Sequence, residues 1–381
     1  MKIVIASDKY KGGLSALEVC RIIRRVIKKI EPRVEVVMSP MADGGEGTVD
    51  TLVESLSGKF VELDVKGPLG EPVRARFGMI GSGTAVIEMA SASGLVLVPH
   101  QKRNPMETTT YGTGEMIAKA LDMGSKKMIV GIGGSATNDG GMGMAQALGY
   151  RLLDSNGEPV GFGGKELLRL ARIDSSNVNG KLLSAEIEIA SDVDNPLYGK
   201  RGAAYVYAPQ KGADPEMVKI LDEGLKNYAE VVARDLGKDI AGLPGAGAAG
   251  GLGAGLAAFA GGRLKPGTEI VIETTGLEDK IKDADLIITG EGAMDVQTFY
   301  GKSAYGVAKL AARYGIPVIT INGSVLSKRS EIDEKNSSLF SGNFSIINRP
   351  MTLEEAIGDA EELLSDAAAE IISFYLEVLK K

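Results

Sequence analysis

The 381-residue sequence has one histidine, one cysteine and no surplus of basic charge, and each shortage removes a class of function. With His100 alone, a histidine metal cage, an HExxH helix and a Ser-His-Asp triad all lack their parts. Cys20 cannot form an internal disulfide, and nothing suggests an oxidising compartment. Lys and Arg number 43 against 50 Asp and Glu, a net charge of −7, so the overall field opposes nucleic acid as a partner. Long apolar runs are missing as well. The uncharged stretch 241–262 could span a bilayer by length. Nine of its residues are glycine, and only Leu243, Leu252, Leu256 and Phe259 are large and apolar, so it would insert poorly. The opening MKIVIASD lacks the basic stretch, apolar run and cleavage site of a secretory signal. A cytoplasmic protein with no membrane partner is expected.

Glycine is in excess, at 51 residues, about twice the usual ~7%. With 44% apolar and 24% charged residues, the chain reads as globular, and its length suggests two or three domains. Residues 2–6 are of strand length. Residues 15–30 put Leu17, Ile23, Ile27 and Ile30 on one helical stripe, with Ser15 and Glu18 at capping-box spacing. A strand at 34–40 and a helix at 46–56 follow, and this alternation signals a parallel sheet. Three β-rich runs over 59–93 suggest an antiparallel meander. A helix (107–122), a strand (126–132), a helix (141–148), a strand (186–193), a long helix near 214–236, the Gly/Ala tract and TEIVIETTG (268–276) complete the middle. From 283 the parallel rhythm returns: DADLIITGEG, the helix SAYGVAKLAARYG, the strand IPVITINGS, FSIINRP (344–350), and one long helix to the end. The expected fold is α/β: a doubly wound parallel-sheet (Rossmann/flavodoxin-like) domain from 1–64 and 284–381, with a second, different α/β domain of mixed sheet inserted at 65–283.

Chemistry concentrates in glycine-rich turns that follow strands, where backbone N–H groups and a helix dipole face a crevice suited to oxyanions. In SDKYKGG, Lys11 offers charge to a phosphate or carboxylate, and Asp8 can orient a metal or hydroxyl. In PMADGGEGT, Asp43 and Glu46 beside Gly44, Gly45 and Gly47 could hold Mg²⁺ or polyol hydroxyls, though one of them could simply cap a helix. GIGGSATNDGG, with Gly133, Gly134, Ser135, Thr137 and Asn138, reads as a cradle for nucleotide phosphates; it is neither a Walker A nor a Rossmann GxGxxG motif. SDVDNP puts Asp192 and Asp194 at a strand end. The segment 245–255, with Gly250 and Gly251, fits tight helix packing or another phosphate-facing loop. TGEGAMDVQT followed by Gly301-Lys302 supplies Glu291, Asp295, Gln297 and Lys302. Many backbone donors, a few acids, two placed lysines and no usable histidine suit phosphoryl transfer, which needs positioning and charge neutralisation more than a strong base. The acidic total is no obstacle: a lysine 4 Å from a phosphate contributes ~4 kcal/mol at an effective ε near 20, and charges beyond ~8 Å are largely screened.

SDKYKGGLSA, PMADGGEGT, GIGGSATNDGG, SDVDNPLYG, GAAGGLG and TGEGAMDVQTFYGK, in order over 7–302, resemble the bacterial glycerate kinase family that includes the glyoxylate- and galactarate-pathway enzymes. The family's Asp-Ser-Phe-Lys-Gly stands here as Asp8-Lys9-Tyr10-Lys11-Gly12, keeping Lys11 and adding a charge at Lys9. The resemblance implies phosphorylation of D-glycerate by ATP with Mg²⁺, at the 2-hydroxyl for this branch, in a cleft between two α/β domains. Joined with the residue reading, it assigns Lys11, Asp192 and Lys302 to catalysis, with Asp192 accepting the substrate proton. Substrate binding falls to Asp8, Asp43, Gly44, Gly45, Glu46, Asp295 and Gln297. Nucleotide binding falls to Gly133, Gly134, Ser135, Thr137, Asn138, Gly250 and Gly251, and Mg²⁺ to Asp192 and Glu291. A monomer or homodimer is expected. The alternatives are a kinase of the 3-hydroxyl or of another small hydroxy acid, and a non-enzymatic nucleotide-binding module.

Overall fold

A computed structural model describes residues 1–326 and 339–380, without the side chains of Gln297 and Tyr300. The chain divides into two compact units. The first comprises residues 1–43, 50–56 and 268–381, and the second residues 44–49 and 57–267.

Among the described residues, the main sheet of the first unit has five parallel strands in the spatial order Glu35–Met38, Lys2–Ile5, Leu286–Thr289, Val318–Asn322, Gly342–Ser345. Numbered along the chain this is 2-1-3-4-5, the flavodoxin-like order, and the first unit is a doubly wound α/β fold. The helix Ala16–Ile30 begins in a complete capping box, with Glu18 N donating to Ser15 Oγ and Ser15 N to the Glu18 carboxylate. Its buried stripe of Val19, Ile23 and Ile27 packs with Ile3, Ile5, Leu286 and Ile288 from the sheet and Leu364, Ala368 and Ile372 from the helix Ala360–Leu379. Val4 and Ile287 point to the opposite face and are equally buried, so both faces of the sheet are covered.

The terminal helical segment is two helices, Leu353–Gly358 and Ala360–Leu379, rather than one. The first opens in its own capping box, Thr352 with Glu355, and Gly358, a poor helix former, sits where it ends.

The second unit is built on a six-stranded mixed sheet in the order Arg263–Lys265, Glu186–Ala190, Lys127–Gly131, Thr84–Glu88, Pro72–Ile80, Lys59–Lys66. The first four are mutually parallel, and the last two add an antiparallel meander. One continuous core of this unit includes Phe77, Ile87, Met128, Val130, Ile189, Leu225, Tyr228 and Phe259. The Gly/Ala tract forms the helix Ala248–Ala260, whose first turn departs from helical geometry at Ala249, Gly250 and Gly251, all with positive φ. The run 268–276 lies mostly in the helix Gly267–Thr275, despite its β-branched residues. No helix among the described residues is long and apolar enough to cross a membrane.

Candidate active site

In a 2-1-3-4-5 sheet the strand order reverses between the first and third strands, and the crevice at their carboxyl ends is where such folds bind ligands. In the first unit these ends lead into Ala6-Ser7-Asp8 and Gly290-Glu291. The two turns are tied together: Asp8 N donates to the Gly290 carbonyl at 2.9 Å, and Ser7 Oγ to the same oxygen at 3.1 Å.

The Asp8 carboxylate is buried and accepts from Lys9 N (2.7 Å) and from the hydroxyl of Ser303 (2.5 Å), the first residue of the helix Ser303–Ala312. Burial and the nearby Asp43 charge raise its pKa to about 7 against these hydrogen bonds. Glu291 is held on both oxygens, by Thr298 Oγ1 at 2.6 Å and Lys302 Nζ at 3.1 Å. Its backbone N donates to the buried Asn322 side chain at 3.2 Å. Burial raises the Glu291 carboxyl although Thr298 and Lys302 pull it down. Burial opposes the Lys302 charge, yet Glu291 and Asp295 outweigh it and lift the ammonium. Asp295 lies 3.7 Å from Lys302 Nζ. Lys11 is exposed, and its backbone N stands 3.1 Å from where a Cβ on Gly292 would be. Asp8, Lys11, Asp43, Glu291, Asp295 and Lys302 thus gather at one end of this sheet; Gln297 lies outside the described side chains.

The other predicted residues lie in the second unit. Gly44, at φ +85°, lies so close to Ala190 that a Cβ would come within 2.7 Å of the alanine Cβ. Its carbonyl would lie 2.5 Å from a Cβ on Gly131. Only glycines allow this approach, which sets Gly45 and the exposed Glu46 beside the glycine-rich turn. Beyond Gly131, Gly133 and Gly134 are exposed and Ser135 to Gly140 buried. Asp192 is exposed, and its Oδ1 accepts from Gly267 N at 3.0 Å. Gly250 and Gly251 are buried, and a Cβ on Gly250 would stand 2.0 Å from the Thr137 carbonyl. Among the two readings left open for 245–255, these contacts match close packing.

Sequence reasoning missed Thr298, Ser303, Asn322 and Lys211. Ser303 had a signal, since it follows Lys302 at a helix start. Lys211, buried and 2.7 Å from Ser135 Oγ, had none in its own segment. Among the described residues no group of three or more His, Cys, Asp or Glu could hold a metal ion.

Comparison with known proteins adds the chemistry. Residues 3–376 match the model of the "Glycerate kinase family". The chain is 49% identical over 372 residues to a glycerate kinase of Bacillus subtilis and 47% identical over 372 residues to a glycerate 2-kinase of Escherichia coli K12, covering 97% of each chain in both cases. A crystal structure of a chain assigned as glycerate kinase 2, from Salmonella typhimurium LT2, superposes with a TM-score of 0.92 at 48% identity, with 100% of both chains covered.

Proposed function

The chain belongs to the glycerate kinase family and is a phosphotransferase acting on glycerate, and from that premise we propose that it transfers the terminal phosphoryl group of ATP to the 2-hydroxyl of D-glycerate, with Mg²⁺, in the cytoplasm. The observation that carries this reading is the convergence of Asp8, Glu291, Lys302 and Ser303 at the strand-order reversal of the first unit. Phosphoryl transfer asks for positioned charge rather than a strong nucleophile of the protein's own. Lys11 and Lys302 contact the glycerate carboxylate or the transferring phosphate. Asp8, Asp43, Gly44, Gly45, Glu46, Asp295 and Gln297 position glycerate. Gly133, Gly134, Ser135, Thr137 and Asn138 take the nucleotide phosphates, largely through backbone N–H groups.

Asp192 accepts the hydroxyl proton, its carboxylate fixed by the Gly267 N–H. Mg²⁺ prefers oxygen ligands and is commonly held by one or two carboxylates plus the phosphates it accompanies. Glu291 and Asp192 are the carboxylates assigned to it; the burial that raises the Glu291 carboxyl is a cost that a divalent cation relieves. When bound, Mg²⁺ neutralises charge on the phosphate oxygens.

The test is incubation with ATP, Mg²⁺ and D-glycerate, followed by NMR of the product. Phosphorus coupled to C2 supports the reading, and coupling to C3 overturns the regiochemistry. Asp192→Asn should lower kcat about 100-fold or more, the usual scale of a positioned base, with little change in ATP affinity. An unaltered rate removes Asp192 from the mechanism.

A further inference from the structure

Lys211 ends a short turn, Pro209–Lys211, before the helix Pro215–Leu236. It is 1% exposed, which is unusual for a lysine. Its ammonium donates to Ser135 Oγ at 2.7 Å and to the Thr137 carbonyl at 2.6 Å. No carboxylate among the described residues lies within ion-pair distance of it. Asp139, the acid whose charge reaches it, already accepts from Thr110 N and Oγ1, Gly141 N and Gly143 N. Burial pushes the Lys211 ammonium down to about 7, with Asp139 opposing. An uncompensated buried cation is costly, and an anion placed just beyond Ser135 would repay part of that cost.

The hydrogen-bond directions say where such an anion would sit. Ser135 Oγ accepts from Lys211, so its own proton points elsewhere, and no other partner for it occurs among the described residues. Ser135 is the first buried residue after the exposed pair Gly133-Gly134, at the carboxyl end of Lys127–Gly131. A serine hydroxyl at that place, with its acceptor site filled from behind, is a donor to an oxyanion. Next to it the Asn138 amide and the Thr137 hydroxyl are buried with no hydrogen-bond partner.

We infer that Lys211 is a positioning residue for nucleotide binding: through its hydrogen bond it fixes the Ser135 hydroxyl as an outward donor to a phosphate oxygen, and through Thr137 it holds the turn that presents it. This rests on the reading that the Gly133–Asn138 turn takes nucleotide phosphates. Lys211 itself does not touch the nucleotide.

The test is a double-mutant cycle on ADP affinity, measured by calorimetry on the full-length enzyme with Lys211→Met, Ser135→Ala and the double variant. Removing a charge-assisted hydrogen bond should weaken ADP roughly tenfold or more. Lys211→Met should therefore cost about tenfold in the wild-type background and less than threefold in the Ser135→Ala background. Equal factors in both backgrounds overturn the coupling to Ser135. An unchanged ADP affinity in Ser135→Ala instead overturns the nucleotide reading of the turn, and the inference with it. As a second measurement, Lys211→Ala is titrated with propylammonium, which can refill the space with a cation. Recovery of ADP affinity, with no recovery from isobutane-sized neutral alcohols, supports a positioned charge. Recovery by both, or by neither, assigns Lys211 to packing alone.

Discussion

The Asp8 carboxyl is held in a state that costs stability. An aspartate titrates at 3.8 when exposed, but here burial and Asp43 raise it to about 7. Because the folded value lies above the unfolded one, the folded protein prefers the protonated form. The stability this confers is complete below pH 4 and is lost as pH rises to about 7. A gap of about three units corresponds to something on the order of 4 kcal/mol at most. Asp8→Asn imitates the protonated carboxyl at every pH and keeps a group able to pair with Ser303. The variant should match wild type in Tm near pH 4 and exceed it by several degrees at pH 8, while losing most of its turnover. A Tm difference that does not change between pH 4 and 8 would show that Asp8 is ionised throughout. Such an exchange of stability for a charged site is common where function demands it.

Among the elements, the glycines divide into those that turn the chain and those that let two backbones touch. Gly237 and Gly250 have nearly the same left-handed φ, +65° and +67°. A Cβ on Gly237, just past the helix Pro215–Leu236, would meet nothing within 4 Å; on Gly250 it would meet the Thr137 carbonyl at 2.0 Å and Asn138 Cα at 2.6 Å. Gly237→Ala should cost only the left-handed penalty, about 1–2 kcal/mol. Gly250→Ala adds overpacking of about 1–3 kcal/mol and displaces Thr137 and Asn138, so urea midpoints should separate the two clearly. Equal midpoints would mean that the turn yields freely.

The same elements show what the sequence could tell. Ser15 with Glu18 was legible as a helix start because a capping box is local, three residues long, and apolar spacing marked the helix behind it. The parallel strands were legible from short apolar runs alternating with helical stripes, and with them Asp8 and Glu291 just past strand ends. The break before Ala360 was not read, although Thr352, Glu355 and Gly358 lie in plain view, because the apolar periodicity runs on through it. The helix Gly267–Thr275 contradicts the strand preference of its β-branched residues, since packing against neighbours outweighs local propensity. Lys211 was illegible for another reason: its partners Ser135 and Thr137 are more than seventy residues away, and only the fold brings them to it.

At the scale of the whole chain, connectivity constrains how the molecule can fold. The strand Lys2–Ile5 of the first unit pairs with the central strand Leu286–Thr289, so that sheet cannot form until the chain has closed a loop of more than two hundred residues. In a flexible chain that closure costs about 5 kcal/mol, and it grows only slowly with length. A folded second unit leaves only about 56 flexible residues between the two strands, which lowers this cost by about 1.4 kcal/mol, a tenfold gain. Gly44 packs against Gly267 within that unit, where a Cβ on Gly44 would lie 3.0 Å from Gly267 Cα. Once the second unit has formed, the two chain segments that carry the pairing strands, residues 1–43 and 268–289, leave it from adjacent points. The second unit should therefore fold first and the first unit second. Cys20, the single cysteine, is fully buried in the core of the first unit and reports its formation through protection from a pulsed thiol reagent during refolding. Gly250→Ala disturbs only the second unit, yet it should delay protection of Cys20 several-fold. Ile27→Ala, in the core of the first unit, should leave the formation of second-unit helical signal unchanged. Protection of Cys20 at the wild-type rate in Gly250→Ala would show that the sheet of the first unit closes its long loop unaided.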